Sequence, residues 1–296
     1  MKIGFYKVFF VLAKNVAVLV ASLFLLCSLL GLIPDITASN YISRVTQYLL
    51  IVLTFDYNTS LHSGMFITDI VSAAFLKTLI LISLSLGLII FVSIVTAYYG
   101  ATKVEGSVFK IWNSFLNTIS AIPVLLWASI LIFIVYITAN LVPIYSDFES
   151  GSLLVKFLVI FLPVISLTLG DGLMLDYYTR LRNEIETIKK QVWFRGLKAR
   201  GVNTFGHLIR SLVVPLFNIT TSKVAYLISG IIVVEYVYSW QGLGYIIWQA
   251  LITPGTKDYA LIIASSKILL IIVIIFSSLR DLLHLGMNPH LSEIKE

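Results

Sequence analysis

The chain has 296 residues, of which 58% are hydrophobic and only 12% are charged, with a mean hydropathy of +0.96 and a formal net charge of +6. A soluble globular domain carries about 25% charged residues, so this composition excludes one and indicates an integral membrane protein. Apolar runs of about 20 residues also exclude a membrane β-barrel, whose strands are shorter and alternate in polarity. The single cysteine, Cys27, excludes a disulfide within the chain and a cysteine metal cluster.

Six apolar segments are long enough to predict membrane-spanning helices, namely residues 9–33, 74–99, 111–142, 153–175, 224–238 and 259–283. The first follows Lys2 and Lys7 as a secretory signal would, but it is too long and lacks a small-residue cleavage site, so it predicts an uncleaved span. Six spans place both termini on one side of the membrane. Lys and Arg residues concentrate on that side, and the positive-inside rule therefore predicts cytoplasmic termini.

Three regions are predicted along the chain. Residues 1–73 hold the first span and a long external loop, residues 74–283 form a core transmembrane domain, and residues 284–296 are a cytoplasmic tail. Within the core, residues 180–210 form a basic cytoplasmic segment. No two segments are self-similar, so a transporter built from this chain is expected to take the second half of its pathway from another subunit.

The basic segment 180–210 is expected to lie in water, because each Lys or Arg at the bilayer centre costs roughly 2.5 to 3.5 kcal/mol. An amphipathic helix is predicted by apolar residues at spacings of three and four, at Ile185, Ile188 and Val192. Gly201 is expected to end this helix in the left-handed conformation, and Asn203 to cap a second helix. On charge alone a lipid-anchoring helix is an equal alternative, and the defined glycine corner favours a mechanical contact instead.

The sequence WFRGLKARGVN, residues 193–203, resembles the cytoplasmic coupling motif of ATP-binding-cassette (ABC) importer permeases, specifically the dipeptide, oligopeptide and nickel branch. Pro215 follows at the spacing usual in that family. Three residues match the motif by identity: Arg195, Ala199 and Gly201. Three more keep aromatic or basic character: Trp193, Lys198 and Arg200. The departures are Gly196 and Leu197, where the family usually has Thr and Ala, and glycine inside a helix costs about 1 kcal/mol relative to alanine.

A second stretch supports the same resemblance. Residues 235–244, EYVYSWQGLG, resemble the family's Glu-x-x-x-Ser-Trp-Pro-Gly-Leu-Gly signature, with Gln241 in place of the proline. The matching residues are Glu235, Ser239, Trp240, Gly242, Leu243 and Gly244. Shorter matches occur at Asp258-Tyr259, at Asn288-Pro289-His290, and at the apolar-proline corners Ile122-Pro123 and Leu162-Pro163. The resemblance covers the chain from about residue 49 to the C-terminus.

The resemblance implies the type I ABC importer fold, an all-α integral membrane protein with six transmembrane helices and a cytoplasmic coupling helix. It implies a bacterial inner-membrane permease subunit that forms half of the pathway for a small solute, a di- or oligopeptide or a nickel or other metal chelate. The implied partners are a second, different permease subunit, two ABC ATPase subunits, an extracytoplasmic solute-binding protein and membrane lipid, without nucleic acid. The chain lacks a phosphate-binding loop, so no cofactor or metal is expected on it, and ATP and Mg²⁺ belong to the ATPase subunits.

The resemblance also implies which residues form the site. Those expected to couple to an ATPase subunit are Trp193, Phe194, Arg195, Leu197, Lys198, Ala199, Arg200, Gly201 and Asn203. In that contact, Phe194 and Leu197 are expected to fill a groove on the ATPase, while the basic side chains meet its acidic rim.

Charged residues in or near the spans are candidates for function, because their burial in lipid is costly. Asp176 and Lys223 lie near predicted cytoplasmic ends of spans and are expected to extend toward the interface, and Glu235 is expected to cap or brace the turn that follows it. Asp171 and Lys267 are expected either to form an ion pair or to line the transport pathway.

Two other classes of function stay as alternatives. An intramembrane aspartyl protease needs Gly-x-Gly-Asp, and Thr168 replaces the first glycine before Asp171. A rhomboid-like serine protease needs Gly-x-Ser-Gly, and Leu227 replaces the first glycine before Ser229. The other alternative is a membrane scaffold without transport, which would be recognised by its failure to associate with an ATPase.

Overall fold

The structure is a computed structural model that describes residues 5–33, 40–54, 57–61, 63–102, 107–142, 151–253 and 257–287. These residues form eleven α-helices: α1 (Phe5–Gly31), α2 (Tyr41–Thr54), α3 (Ile67–Thr102), α4 (Ser107–Ser120), α5 (Val124–Ala139), α6 (Leu153–Leu169), α7 (Leu173–Lys190), α8 (Val192–Ala199), α9 (Phe205–Val237), α10 (Leu243–Ile252) and α11 (Tyr259–Met287). A 3₁₀ turn, Gly170–Gly172, joins α6 to α7. The Asn288-Pro289-His290 motif and residues 288–296 of the expected tail lie outside the described residues.

Five helical stretches are long and apolar enough to cross a membrane, namely Val8–Gly31, Ile67–Ala101, Leu153–Lys190, Phe205–Val237 and Tyr259–Leu283. A sixth candidate span consists of α4 and α5 together, which are bent by 101° at the break between them. The prediction of an all-α membrane protein is confirmed. The span predicted over residues 111–142 therefore corresponds to a bent pair of helices.

The two proline positions behave differently. Pro123 lies in the break between α4 and α5, because it has no N–H group and its ring holds Ile122 away from the helical conformation. Pro163 lies inside α6, which continues through it without interruption. The corner predicted at Leu162-Pro163 is therefore wrong, and the one at Ile122-Pro123 is confirmed.

The segment predicted as a loop after the first span contains α2. Its buried residues Val45, Tyr48 and Val52 recur at spacings of three and four, as in an amphipathic helix. The Tyr48 ring packs on Tyr259 with 5.4 Å between centroids. Arg44 donates from Nε to the carbonyl oxygen of Gly31 at 2.9 Å, which provides a partner at the C-terminal end of α1.

Helix contacts divide the described residues into two units, one from residues 5–80 with 231–287 and the other from residues 81–142 with 151–230. In the first unit, α1 packs on α2 and α11, and α10 packs on α11. Lys14 and Asp281 pair at 2.9 Å between α1 and α11. In the second unit, α5 packs on α6, and α7 packs on α4 and α8.

Lys223 of α9 and Asp176 of α7 form an ion pair within the second unit. The Lys223 ammonium also lies 4.9 Å from the ring centroid of Tyr226. This pair was not predicted from the sequence. It forms because the Lys223 side chain is mostly buried, and a charge removed from water needs a partner.

Candidate functional site

The predicted amphipathic helix is interrupted before the coupling segment. α7 ends at Lys190, Gln191 has an extended backbone (φ −69°, ψ 144°), and α8 begins at Val192. The prediction of one continuous helix is wrong, because apolar spacing alone does not mark this corner. Arg195 ties α8 to α7, since its Nε and Nη2 donate to the carbonyl oxygen of Lys190 at 3.0 and 2.6 Å.

The glycine corner after α8 has the predicted conformation. Gly201 has φ of +73°, in the left-handed region where glycine meets no Cβ penalty. The N–H of Val202 donates to the Leu197 carbonyl at 3.2 Å and the N–H of Gly201 to the Lys198 carbonyl at 3.1 Å, the bond pair of a Schellman motif. Asn203 Oδ1 then accepts from the N–H of Phe205 at 3.0 Å, where α9 begins. The predicted helix, glycine turn and second helix are confirmed.

The two faces of α8 differ from those expected. Phe194 is only 5% exposed and packs against its own chain, so it anchors α8 and does not fit the role of entering a groove on another subunit. The exposed apolar side chains are Val192, which is 85% exposed, Trp193 and Val202, while Leu197 is half-buried. Val192 and Val202 were not among the predicted coupling residues, because Val192 was assigned to the apolar face of a continuous helix and Val202 lies beyond the glycine turn. The remaining predicted coupling residues are exposed: Arg195, Lys198, Ala199, Arg200, Gly201 and Asn203.

Glu235 organises the second predicted motif from a position with no solvent exposure. Its Oε2 accepts from the N–H groups of Gly244 at 2.7 Å and Tyr245 at 3.1 Å. Its Oε1 accepts from Thr78 Oγ1 at 2.7 Å, and that hydroxyl oxygen accepts from the N–H of Leu243, also at 2.7 Å. Two side chains thus satisfy three N–H groups at the start of α10, which have no partner inside the helix. The predicted brace is confirmed.

The glycines of this motif leave room for the brace. A Cβ on Gly242 would lie 2.1 Å from Glu235 Oε1, and a Cβ on Gly244 would lie 2.5 Å from the Cα of Ile232. Both distances are far inside van der Waals contact. The motif therefore needs glycine at both positions so that the α10 N-terminus can approach the carboxylate and the α9 backbone.

The turn between α9 and α10 has further fixed contacts. Ser239 has φ of +51°, and the N–H of Trp240 donates to the Glu235 carbonyl at 2.7 Å. Trp240 Nε1 donates to the Lys77 carbonyl at 3.1 Å. Gln241, which replaces the family's proline, accepts from Lys77 Nζ at 3.0 Å through Oε1. Sequence reasoning missed Lys77 and Thr78, because one hydroxyl and one ammonium in an apolar run carry no distinguishing spacing.

Asp171 closes the break between α4 and α5. It has φ of +54°, and its Oδ1 accepts from the N–H of Val124 at 3.1 Å. Its own N–H donates to the Ile122 carbonyl at 3.4 Å. Asp171 thus holds both sides of the proline corner, in the second unit.

Lys267 of α11 lies in the first unit, where its side chain reaches the end of α2. Its Nζ donates to the Val52 carbonyl at 3.1 Å and to the Tyr57 hydroxyl at 3.3 Å, beside a cavity of about 320 Å³. Burial raises the pKa of Tyr57, so its hydroxyl stays protonated. A pathway role for Asp171 and Lys267, or an ion pair between them, stays a prediction.

Among the residues that the structure describes, no three His, Cys, Asp or Glu side chains gather as metal ligands.

These features define a multi-pass helical membrane subunit with a short helix and a glycine turn between two of its spans. Residues 89–293 match the family described as binding-protein-dependent transport system inner membrane component. The match covers more than half of the chain, and the chain belongs to this family. It is a permease subunit of an ABC importer, a translocation subunit and not an enzyme.

Relatives support this assignment over different lengths. The metal-staphylopine import system permease protein CntB of Staphylococcus aureus strain Mu50 is 25% identical over 253 residues, which are 83% of this chain and 76% of CntB. The oligopeptide transport system permease protein AppB of Bacillus subtilis is 26% identical over 134 residues, 44% of this chain and 41% of AppB. The glutathione transport system permease protein GsiC of Pectobacterium atrosepticum is 27% identical over 128 residues, 42% of this chain and 41% of GsiC.

Replacing Thr78 with valine keeps the side-chain shape and removes the hydroxyl that links Glu235 to Leu243. We expect Thr78→Val to lower the free energy of unfolding of the purified chain by about 1 to 3 kcal/mol, because it leaves buried polar groups without partners. Thr96→Val is the matched control, since the Thr96 hydroxyl bonds only to carbonyls of its own helix. Equal thermal stability of the two variants in the same detergent would contradict a stabilising role for the hydrogen bonds of Thr78 to Glu235 and Leu243.

Gly244 and Gly206 are each the second residue of a helix, which makes them a matched pair. We expect Gly244→Ala to destabilise the chain by roughly 1 to 3 kcal/mol, because its Cβ meets backbone. A Cβ on Gly206 meets nothing within 4 Å. Gly206→Ala should therefore be neutral or slightly stabilising. Thermal denaturation monitored by size-exclusion chromatography measures both, and a Gly244→Ala variant as stable as Gly206→Ala would show that the close approach is absent.

Proposed function

We propose that α8 and the Gly201 turn form the contact through which this permease subunit is driven by an ATPase subunit. Support comes from the exposed apolar side chains Val192, Trp193 and Val202, which offer a surface to a partner at the end of two membrane spans. Exposed Arg200 flanks this surface and suits an acidic rim. The corner at Gly201 fixes the angle at which α8 is presented.

The proposed assembly contains a second permease subunit that differs from this chain, two ABC ATPase subunits and an extracytoplasmic solute-binding protein. The absence of a self-similar repeat in the sequence supports a second permease subunit. ATP and Mg²⁺ are assigned to the ATPase subunits, because this sequence has no phosphate-binding loop.

The proposed solute is a di- or oligopeptide or a metal chelate. The relatives named above support this class, since they are named for transport of metal-staphylopine, oligopeptides and glutathione. Proteoliposomes that contain the complete transporter would separate the two solute types by uptake of a labelled dipeptide and of a nickel–histidine chelate. If the transporter takes up neither solute, the proposed solute class is contradicted.

The proposed orientation places both termini and α8 in the cytoplasm, because the chain's Lys and Arg residues concentrate on that side. A cytoplasm-active reporter fused after Glu296 should give signal, and the same reporter inserted within residues 56–64 should not. Enzyme activity of the two fusions, normalised to their amount in the membrane, measures this. The reverse pattern would contradict the orientation.

The coupling role of the corner is tested at Gly201. Gly201→Val forces a β-branched residue toward a left-handed backbone, which costs on the order of 1 to 2 kcal/mol locally. We expect the variant to insert normally and to lose solute-stimulated ATP hydrolysis in the reconstituted transporter.

Gly196→Val is the matched control, because Gly196 lies inside α8 and a Cβ there also meets nothing within 4 Å. The two variants therefore add the same side chain where it meets no other atom, and they differ in backbone conformation. We expect Gly196→Val to keep most of the stimulated activity. Full stimulated activity in Gly201→Val would contradict the proposed role, and it leaves the family assignment untouched.

A further inference from the structure

A cavity of about 480 Å³ lies between α8 and the ends of α3, α7 and α9, all within the second unit. Its volume falls in the range of about 300 to 1,000 Å³ that small-molecule sites occupy. Its polar wall carries three cationic side chains and a hydroxyl, and its other wall carries aromatic rings. The residues on which the argument rests are Lys189, Arg195, Lys198, Thr204, Tyr98 and Phe205.

Positive charge accumulates at this cavity. Lys189 donates from Nζ to the Ala101 carbonyl at 3.2 Å, and it is subject to repulsion from Lys198. Glu186 is the acid that acts on Lys189, and it also bonds to Arg182 at 3.0 Å. In the part of the chain that the structure describes, none of the three cavity cations forms an ion pair. An anion bound beside Lys189 and Lys198 would offset the repulsion between them.

The cationic side chains of the cavity have N–H donors that an anion could use. Arg195 uses Nε and Nη2 toward the Lys190 carbonyl, and a guanidinium has five N–H donors, so donors remain for a ligand. Lys198 is exposed, and its ammonium has three donors. α9 begins at Phe205, which also lines the cavity, and the N-terminal end of a long helix adds positive potential.

The cavity lies at the depth where membrane spans end. The α3 span ends at Ala101 and the α9 span begins at Phe205, and both residues line the cavity. The Tyr98 and Phe205 rings meet edge to face with 5.5 Å between centroids. Aromatic side chains at span ends mark the headgroup region, where lipid phosphates lie beside basic residues.

We propose that this cavity is a phosphate-binding site in which Lys189, Arg195 and Lys198 are the donors. The phosphate belongs either to the headgroup of an anionic lipid or to a soluble phosphate compound. Both sources present the same oxygens to the same donors, and bound phosphate would fix α8 to the span ends.

The test uses the full transporter complex purified in detergent. Native mass spectrometry measures binding of phosphatidylglycerol, and calorimetry measures binding of inorganic phosphate and glycerol 3-phosphate. The variant Lys189→Gln/Lys198→Gln removes two cavity cations. The control Lys190→Gln/Arg210→Gln removes two exposed cations from α7 and α9 that do not line the cavity.

We expect the cavity variant to bind the phosphate ligand at least about 10-fold more weakly than wild type, because it loses two charge-assisted hydrogen bonds. We expect the control to bind like wild type. Binding of phosphatidylglycerol assigns the site to lipid, and binding of the soluble compounds alone assigns it to a soluble phosphate. Lys198→Gln changes one exposed side chain and should weaken binding even if the double variant misfolds. Equal binding by the cavity variants and the control, or no binding by wild type, would overturn the proposal.

Discussion

A helix that ends or bends at membrane depth leaves backbone N–H and C=O groups without partners, and lipid supplies none. This chain contains several such places, including the break between α4 and α5 and the turn between α9 and α10. At each of them a polar side chain completes the hydrogen bonds. The buried carboxylate of Glu235, which accepts from two N–H groups of α10, is the clearest case.

This constraint gives the charged residues of the spans a structural meaning. Asp171 accepts from the N–H of Val124 at the start of α5. Lys267 donates to the Val52 carbonyl near the end of α2, and Lys189 donates to the Ala101 carbonyl near the end of α3. Carboxylates therefore meet helix N-termini and ammonium groups meet helix C-termini, as the helix dipole favours. These three charged side chains therefore supply hydrogen-bond partners to backbone groups where helices begin or end.

The sequence predicted those features that depend on local spacing or on a single residue's conformation. Apolar runs predicted five of the spans, Gly201 predicted the Schellman turn, and the motif from Glu235 to Gly244 predicted the brace. Features that depend on side-chain contacts between helices were missed. The corner at Gln191 has no glycine or proline, and it is stabilised when the Arg195 side chain of α8 bonds to the last residue of α7.

Other errors have the same origin. Phe194 was assigned to a partner because it is large and apolar, yet it is buried within this chain, beside a cavity that residues of α3 and α9 also line. Thr78 is one hydroxyl in a long apolar helix, and its role becomes visible only when α10 lies beside it. α2 was hidden among turn-forming residues in a segment predicted as a loop. In each case the deciding partner is distant in sequence.

The central claim is that the Glu235 carboxylate and the Thr78 hydroxyl act as one unit that fixes the start of α10. A double-mutant cycle with Thr78→Val and Glu235→Gln, read as the free energy of unfolding of the full chain in one detergent, tests it most directly. Residues that share a hydrogen-bond network have interaction energies of about 0.5 to 3 kcal/mol, and a value in that range is predicted. Effects that add to within about 0.3 to 0.5 kcal/mol would contradict the claim.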